Sequence, residues 1–292
     1  MTNHTDQPGW RARKTSATLA AIVFLGAALP TFAHRVEKRY AVEERPVVTV
    51  KNSHGRITVK SWPRTEVLVV GDHSSSQVEI DTEKTGNRIE VVTHVLGQNL
   101  SPNERRADYE ITVPEETELQ IRTDSGAILV ERVAGDMSFE TVAADVELRE
   151  VAGYLIVRTT GGSLICFRCA GRIEVNSISG NVRLLEPVSS NLRAKTLSGS
   201  IFYEGDFRPG GIYFLSTGDG RIEVRYAVND SFNLSASSVR GKVESDVRLK
   251  PPAHSSQPPS RLARGLFGTY NDGTAKVELS SFSGTILVRK RE

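Results

Sequence analysis

Residues 119–130 read Leu119-Gln-Ile-Arg-Thr-Asp-Ser-Gly126-Ala-Ile-Leu-Val130, and residues 192–203 read Leu192-Arg-Ala-Lys-Thr-Leu-Ser-Gly199-Ser-Ile-Phe-Tyr203. Both follow one template, Φ-x-Φ-x-[Thr/Ser]-x-x-Gly-x-Φ-x-Φ, where Φ is apolar. The template returns nine times along the chain, with its anchor at Gly55, Gly126, Gly162, Gly180, Gly199, Gly220, Gly241 and Gly284, and once at Ala144. From 126 to 241 the spacing of successive anchors is 18 three times, 19 once and then 21 twice. A step of that size is one supersecondary unit, so the chain reads as a β-repeat protein.

Each slot has a physical reason. Apolar residues alternate after the anchor, as in Ile128/Val130 and Ile222/Val224, and before it, as in Met137/Phe139 and Tyr213/Leu215. Period-2 alternation puts both side chains of a pair on one face of a strand. Between the strands lies a polar turn with Thr or Ser three positions before the anchor, from Thr123 to Ser238. A hydroxyl there can bond neighbouring backbone, and glycine supplies a backbone angle other residues resist. One step cannot bury its apolar face alone, so stacked steps share a core. The expected fold is all-β: a two-sheet β-solenoid of 18–21-residue repeats with an irregular N-terminal β part.

The segment from Met1 to Ala33 is a different object. Arg11, Arg13 and Lys14 precede an apolar run from Ala17 to Ala28, and the segment ends at Ala33. A basic region, a short apolar core and a small terminal residue predict a secretory signal peptide cut after Ala33. The run is shorter than the ~20 residues a membrane span needs, and an uncleaved anchor is the alternative. The full chain has 37 basic and 35 acidic residues; positions 1–33 hold three and one of these, which leaves 34 of each. A neutral mature chain argues against nucleic acid as an electrostatic partner. No second stretch is long and apolar enough to span a bilayer.

The remaining organisation is a β-rich part over 36–117 and the repeat region over 118–292, interrupted by a Pro- and Ser-rich insertion at 250–264. The run Arg122-Thr-Asp-Ser-Gly-Ala-Ile-Leu-Val-Glu-Arg-Val-Ala-Gly135 resembles the repeat unit of the bacterial putative-adhesin family. The segments Val48–Trp62 and Tyr109-Glu-Ile-Thr-Val-Pro114 are also similar to how such domains begin and enter their repeats. The resemblance covers roughly positions 40–290. It implies an exported or envelope-associated β-repeat protein and brings no catalytic residues.

The chemistry candidates are few. Cys166 and Cys169 form a C-x-x-C, with Cys166 in the core slot of Val130 and Leu148 and Cys169 in the corner slot of Val133 and Val151. They read as two small apolar side chains at one corner or as a local structural disulfide, which export permits. A zinc site would need further ligands that do not accompany them. His34, His54, His73, His94 and His254 show no metal-ligand spacing and read as surface residues in turns, at the terminus or in the insertion. Asp219-Gly220 and Asn271-Asp272-Gly273 resemble calcium-binding turns, but among the positions that precede the anchors from 126 on only 219 is aspartate. No metal or other cofactor is expected.

A binding surface would lie in the outward slots, where ladders of alternating charge are expected. The candidate face is Ile156, Ile165, Phe202 and Phe214, because clustered exposed apolar residues mark interfaces. Three functional classes stay open. The first is a non-catalytic envelope or secreted interaction protein whose partner is an envelope protein or glycan, with self-association through the end strands also open. The second is an accessory in envelope stress sensing. The third is a carbohydrate-active β-helix enzyme, which needs acid and base groups together on one face; the outward Glu140, Glu147, Glu174 and Glu223 are instead interleaved with basic residues.

Overall fold

The computed structural model describes residues 1–2, 34–251 and 264–291. The signal peptide from position 3 on, its cleavage after Ala33, His254 and nearly all of the insertion at 250–264 lie outside the described residues. The described residues hold 21 strands and no helix. The first part contributes β1 (His34–Ala41), β2 (Val47–Trp62), β3 (Glu66–His73), β4 (Val78–Thr85), β5 (Arg88–Val95) and β6 (Ala107–Pro114). The repeat region continues with β7 (Glu118–Glu131), β8 (Met137–Arg149), β9 (Ala152–Thr159), β10 (Leu164–Phe167), β11 (Ala170–Ser177), β12 (Val182–Leu185) and β13 (Val188–Thr196). It ends with β14 (Ile201–Glu204), β15 (Ile212–Thr217), β16 (Ile222–Tyr226), β17 (Phe232–Ser238), β18 (Val243–Ser245), β19 (Arg264–Tyr270), β20 (Ala275–Ser281) and β21 (Ile286–Lys290).

Successive template copies lie side by side in parallel register. Leu119 faces Met137, Met137 faces Leu155, Leu184 faces Tyr203 and Tyr203 faces Val224, each one template copy further along the chain. Strands before the anchor form one ladder, β7–β8–β9–β11–β13–β15, and those after it form another, β8–β10–β12–β14–β16. The two ladders belong to one continuous hydrogen-bonded sheet rather than to the two separate sheets expected from the template. The reason is local: β2, β7 and β8 run through the corner without a break, so each contributes to both ladders. Every inward slot named above is buried, in one core cluster that runs from Val42 to Val288. At about 25 cal/mol per Å² of apolar area removed from water, such a core is the main stabilising term.

The anchor glycines form a column, and their role differs from the one the template suggests. Only Gly55, Gly126 and Gly162 among the anchors have the left-handed backbone. A Cβ on Gly180 would lie 1.9 Å from the Gly162 carbonyl oxygen, one on Gly199 would lie 2.0 Å from that of Gly180, and one on Gly220 would lie 1.9 Å from that of Gly199. Close approach of one turn to the next therefore fixes glycine there, not the backbone angle. The hydroxyl slot behaves as read: the N–H groups of Gly199, Gly220, Gly241 and Gly284 donate to Thr196, Thr217, Ser238 and Ser281. Thr217 and Ser238 in turn donate to the carbonyls of Gly199 and Gly284. A second column, unread in the sequence, stands at the opposite end of the strands, where Gly153 approaches Gly135 and Gly171 approaches Gly153 in the same way. Beside it Arg132, Glu150, Arg168 and Glu186 all adopt the left-handed backbone, one in each successive rung.

The stacking order departs from chain order at the end. The rung anchored by Gly284 lies between those of Gly220 and Gly241: β20 pairs with both β15 and β17, and β21 with both β16 and β18. Burial explains the exchange. Ala275, Val277, Leu279, Ile286, Leu287 and Val288 are all buried, whereas β18 offers only a half-buried Val243 followed by exposed Glu244 and Ser245. The rung with the more apolar strand after its anchor takes the inner place; before the anchor the two rungs are alike, since β17 buries Phe232, Leu234 and Ala236 as well. Antiparallel strands then cover both ends, β19 on β17 and the β1–β3–β6 and β4–β5 pairs at the other, which blunts exposed edges. The far end is filled by an aromatic cluster of Tyr203, Phe207, Tyr213, Tyr226, Phe232 and Tyr270. Buried Asp230 staples it, accepting the N–H groups of Phe207 at 2.9 Å and Ala227 at 2.7 Å, and burial raises its pKa.

Candidate functional site

The residue directly after each Thr or Ser sits on the outside of the corner, and in five copies it is a large exposed hydrophobe. Val142 is 53% exposed, Ile178 52%, Leu197 62%, Phe282 47% and Val239 50%. Together with Thr160 and Gly218 they stack in the order 142, 160, 178, 197, 218, 282, 239. Backbone hydrogen bonds lock that order: Gly161 N–H to the Val142 carbonyl, Ser179 to Thr160, Ser198 to Ile178, Asp219 to Leu197, Ser283 to Gly218 and Arg240 to Phe282. Adjacent strands lie about 4.8 Å apart, so the seven positions make a ridge of about 29 Å. The Arg240 guanidinium stacks over the Phe282 ring at 4.9 Å.

Two clefts run beside the ridge. One of about 430 Å³ is lined by Lys51, Thr93, Arg122, Asp124 and Val142, and one of about 340 Å³ by Arg158, Thr160, Asn176 and Ile178. Glu140 lies between them and bridges Arg122 at 2.9 Å and Arg158 at 3.6 Å. The predicted charge ladders continue on the flat face after the corner: Lys60–Glu131–Arg149–Glu147 at its start, and Arg225 between Glu204 and Glu223 further along the same ladder. Ion pairs this exposed are screened by water and add little stability, so they serve better as register marks.

The four face residues read from the sequence do not come together. Ile156 and Phe214 lie on the ladder before the corner, Ile165 and Phe202 on the ladder after it, and all four are half-buried. Their cross-strand neighbours are polar or charged: Ser138 and Glu174 for Ile156, Glu147 and Arg183 for Ile165, Arg183 and Glu223 for Phe202, Arg193 and Glu278 for Phe214. Arg225 covers the Phe202 ring at 5.0 Å and Lys195 the Phe214 ring at 5.3 Å. Cation–π cover by the chain itself explains why these rings make no patch. The ridge instead occupies a template slot that reads as turn, directly after the Thr or Ser.

The other candidates are also placed. Cys166 and Cys169 are joined by a disulfide and buried at the corner near Val133 and Val151. Glu140, Glu147, Glu174 and Glu223 each pair with an arginine. His54, His73 and His94 lie in strands and not in turns; His54 Nδ1 is 2.8 Å from Ser125 Oγ, and His94 Nε2 is 3.1 Å from Asp81. The Asp219 carboxylate accepts from Ser283 Oγ, and Asn271 Nδ2 donates to the Asp230 carbonyl. Among the described residues no group of three or more His, Cys, Asp or Glu side chains is arranged to hold a metal, and no helix is long and apolar enough to cross a membrane.

A chain of stacked parallel strands with glycine-anchored corners defines an all-β repeat protein. Residues 47–289 match the Toastrack family DUF4097, and the chain belongs to that family. The resemblance to putative adhesins stands with it. The chain is similar to the structure of a putative adhesin from Bacteroides fragilis, at 11% identity and a TM-score of 0.46, covering 88% of this chain and 97% of that one. It is similar to a putative cell adhesion protein from Clostridium sporogenes, at 14% identity and a TM-score of 0.28, covering 88% and 100%. A putative lipid binding protein from Parabacteroides distasonis matches at 10% identity and a TM-score of 0.33, covering 88% and 97%. No curated protein is significantly similar to the chain.

Proposed function

We propose that this is a non-catalytic interaction protein, exported to the envelope or beyond it by its amino-terminal leader. In this reading the two ladders are the walls of a solenoid, and the corner ridge is the part that meets a protein partner. The observation that carries the reading is the run of Val142, Ile178, Leu197, Phe282 and Val239, apolar and about half-exposed where a turn would ordinarily be polar. Exposed apolar residues aligned in one strip mark an interaction site more often than scattered ones do. The partner presents a complementary apolar strip, because the ridge side chains offer little hydrogen bonding of their own. Clefts walled by Arg122, Glu140 and Arg158 add polar selectivity at the rim.

The pairing of each of the four outward glutamates with an arginine supports the non-catalytic part, since a glycosidic acid–base pair needs two carboxyl groups facing one bond. The test is fractionation of cells that express the full-length chain. Wild type should co-sediment with a discrete envelope complex, and Ile178→Ser with Leu197→Ser should leave that complex while keeping the β-sheet spectrum. Unchanged co-sedimentation of the folded double variant, or turnover of a polysaccharide by the purified chain, would overturn the reading.

A further inference from the structure

His34 and His73 are far apart in sequence, and the fold makes them direct cross-strand partners at the end of the β1–β3 pair. Directly opposed residues of an antiparallel pair project on the same side. Their rings lie 5.2 Å apart, centroid to centroid, and within 16° of parallel. His73 Nδ1 is 2.9 Å from the Ser75 carbonyl oxygen. A carbonyl can only accept, so Nδ1 carries a proton, and in the neutral ring Nε2 then keeps its lone pair. A backbone carbonyl that fixes the tautomer in this way is the usual support of a metal-binding histidine. Arg35 and Asp72, the next opposed pair along the strands, project to the other side and bridge each other at 3.6 Å.

Two imidazoles alone make a weak site. The sequence supplies a third nitrogen: removal of the leader after Ala33 makes His34 the first residue. Its free α-amine and its own Nδ1 then close a six-membered ring around one ion, a geometry that a histidine offers only at the start of a chain. We propose that the processed chain binds one copper(II) ion through the His34 α-amine, His34 Nδ1 and His73 Nε2. Three nitrogen donors suit the tetragonal preference of copper(II), which also tops the affinity order of the divalent first-row metals. The ligand nitrogens must approach to about 2.0 Å from the ion, which the exposed His34 side chain reaches by rotation about its two side-chain bonds. The site rests on the export proposed above and on the cleavage after Ala33 expected from the sequence, and mass analysis separates a failure of cleavage from a failure of binding.

The experiment uses the full-length chain, exported by a secreting host and purified after processing. Intact mass should place the first residue at His34. Copper(II) titration followed by electron paramagnetic resonance should show one ion per chain, with nitrogen hyperfine structure. His73→Ala and His73→Gln should each weaken binding by more than the roughly 10–100-fold that losing an outer-shell partner costs. A variant processed one position earlier, which retains Ala33, should weaken it likewise, while His94→Ala should leave it unchanged. Processing at any other residue, or wild-type affinity in both His73 variants with their β-sheet spectrum intact, would overturn the proposal; the latter would mean an adventitious ion on the terminal histidine only.

Discussion

Replacing Gly199 by alanine separates two explanations of the anchor glycines. Gly199 has an ordinary backbone angle, so on conformational grounds alone alanine would reduce the entropy of the unfolded chain and stabilise the protein by about 0.4–1 kcal/mol. The structure argues the reverse. The added Cβ would lie 2.0 Å from the Gly180 oxygen, 2.7 Å from its carbonyl carbon and 2.8 Å from Thr196 Oγ1. The first two are backbone atoms that cannot rotate away, so the rung itself must shift. Overpacking of a tight site costs roughly 1–3 kcal/mol. The shift also strains the bond from Gly199 N–H to Thr196 and that from Thr217 to the Gly199 carbonyl, each worth about 1 kcal/mol. A destabilisation of about 3–5 kcal/mol follows from these terms. Gly210→Ala is the control: its φ is +73° and nothing lies within 4 Å, so it should cost only the left-handed backbone, about 1–2 kcal/mol. Urea unfolding followed by circular dichroism measures both. A Gly199→Ala midpoint equal to or above that of wild type would refute the close-approach argument.

Other outcomes follow from the same contacts. Burial pushes the Tyr109 hydroxyl up to about 12, and burial with the nearby Asp246 does the same for Tyr226. The folded state therefore keeps protons that the unfolded state releases near pH 10, so this stability is complete below that pH and is lost as pH rises through about 12. Near-ultraviolet absorbance should show delayed tyrosine ionisation, and an ordinary titration of all the tyrosines would contradict it. Joint Cys166→Ala and Cys169→Ala substitution removes a very short loop closure, about 2 kcal/mol by chain entropy, so the midpoint should fall while the sheet remains. Loss of the sheet itself would mean that the disulfide is needed for folding. Asp230→Ala should cost about 2–4 kcal/mol, since the Phe207 and Ala227 N–H groups lose their acceptor inside the aromatic cluster; a midpoint unchanged from wild type would show that water replaces it.

Much of the architecture was legible because one template states it repeatedly. The alternation of Ile128 and Val130 or Tyr213 and Leu215 specifies inward slots, and Thr217 or Ser238 specifies the turn. Stacking order was not legible at the end of the chain. Ser281–Gly284 repeats the turn as well as Ser238–Gly241 does, and only the greater burial of Ile286, Leu287 and Val288 decides which rung lies inside. The binding face is hidden for a related reason. Exposure in a strand follows alternation, which singles out Phe202 and Phe214, but their exposure is reduced by Arg225 and Lys195 from neighbouring rungs. Corner positions such as Leu197 share one template slot, two residues before the anchor, but that slot obeys no alternation and reads as turn, so its exposure and stacking order emerge only from the fold. The His34–His73 pair depends in the same way on the β1–β3 register, which carries no repeat to announce it.

The most direct test of the central claim is site-specific photocrosslinking in cells exporting the full-length chain. The photoreactive residue is placed at Leu197 on the ridge or at Arg193, which is exposed on the flat face between the core residues Leu192 and Ala194. A ridge that meets a partner predicts one discrete adduct from position 197, repeated from 178 and 239, and none from 193. Equal adducts at both positions, or none from any ridge position, would contradict the account.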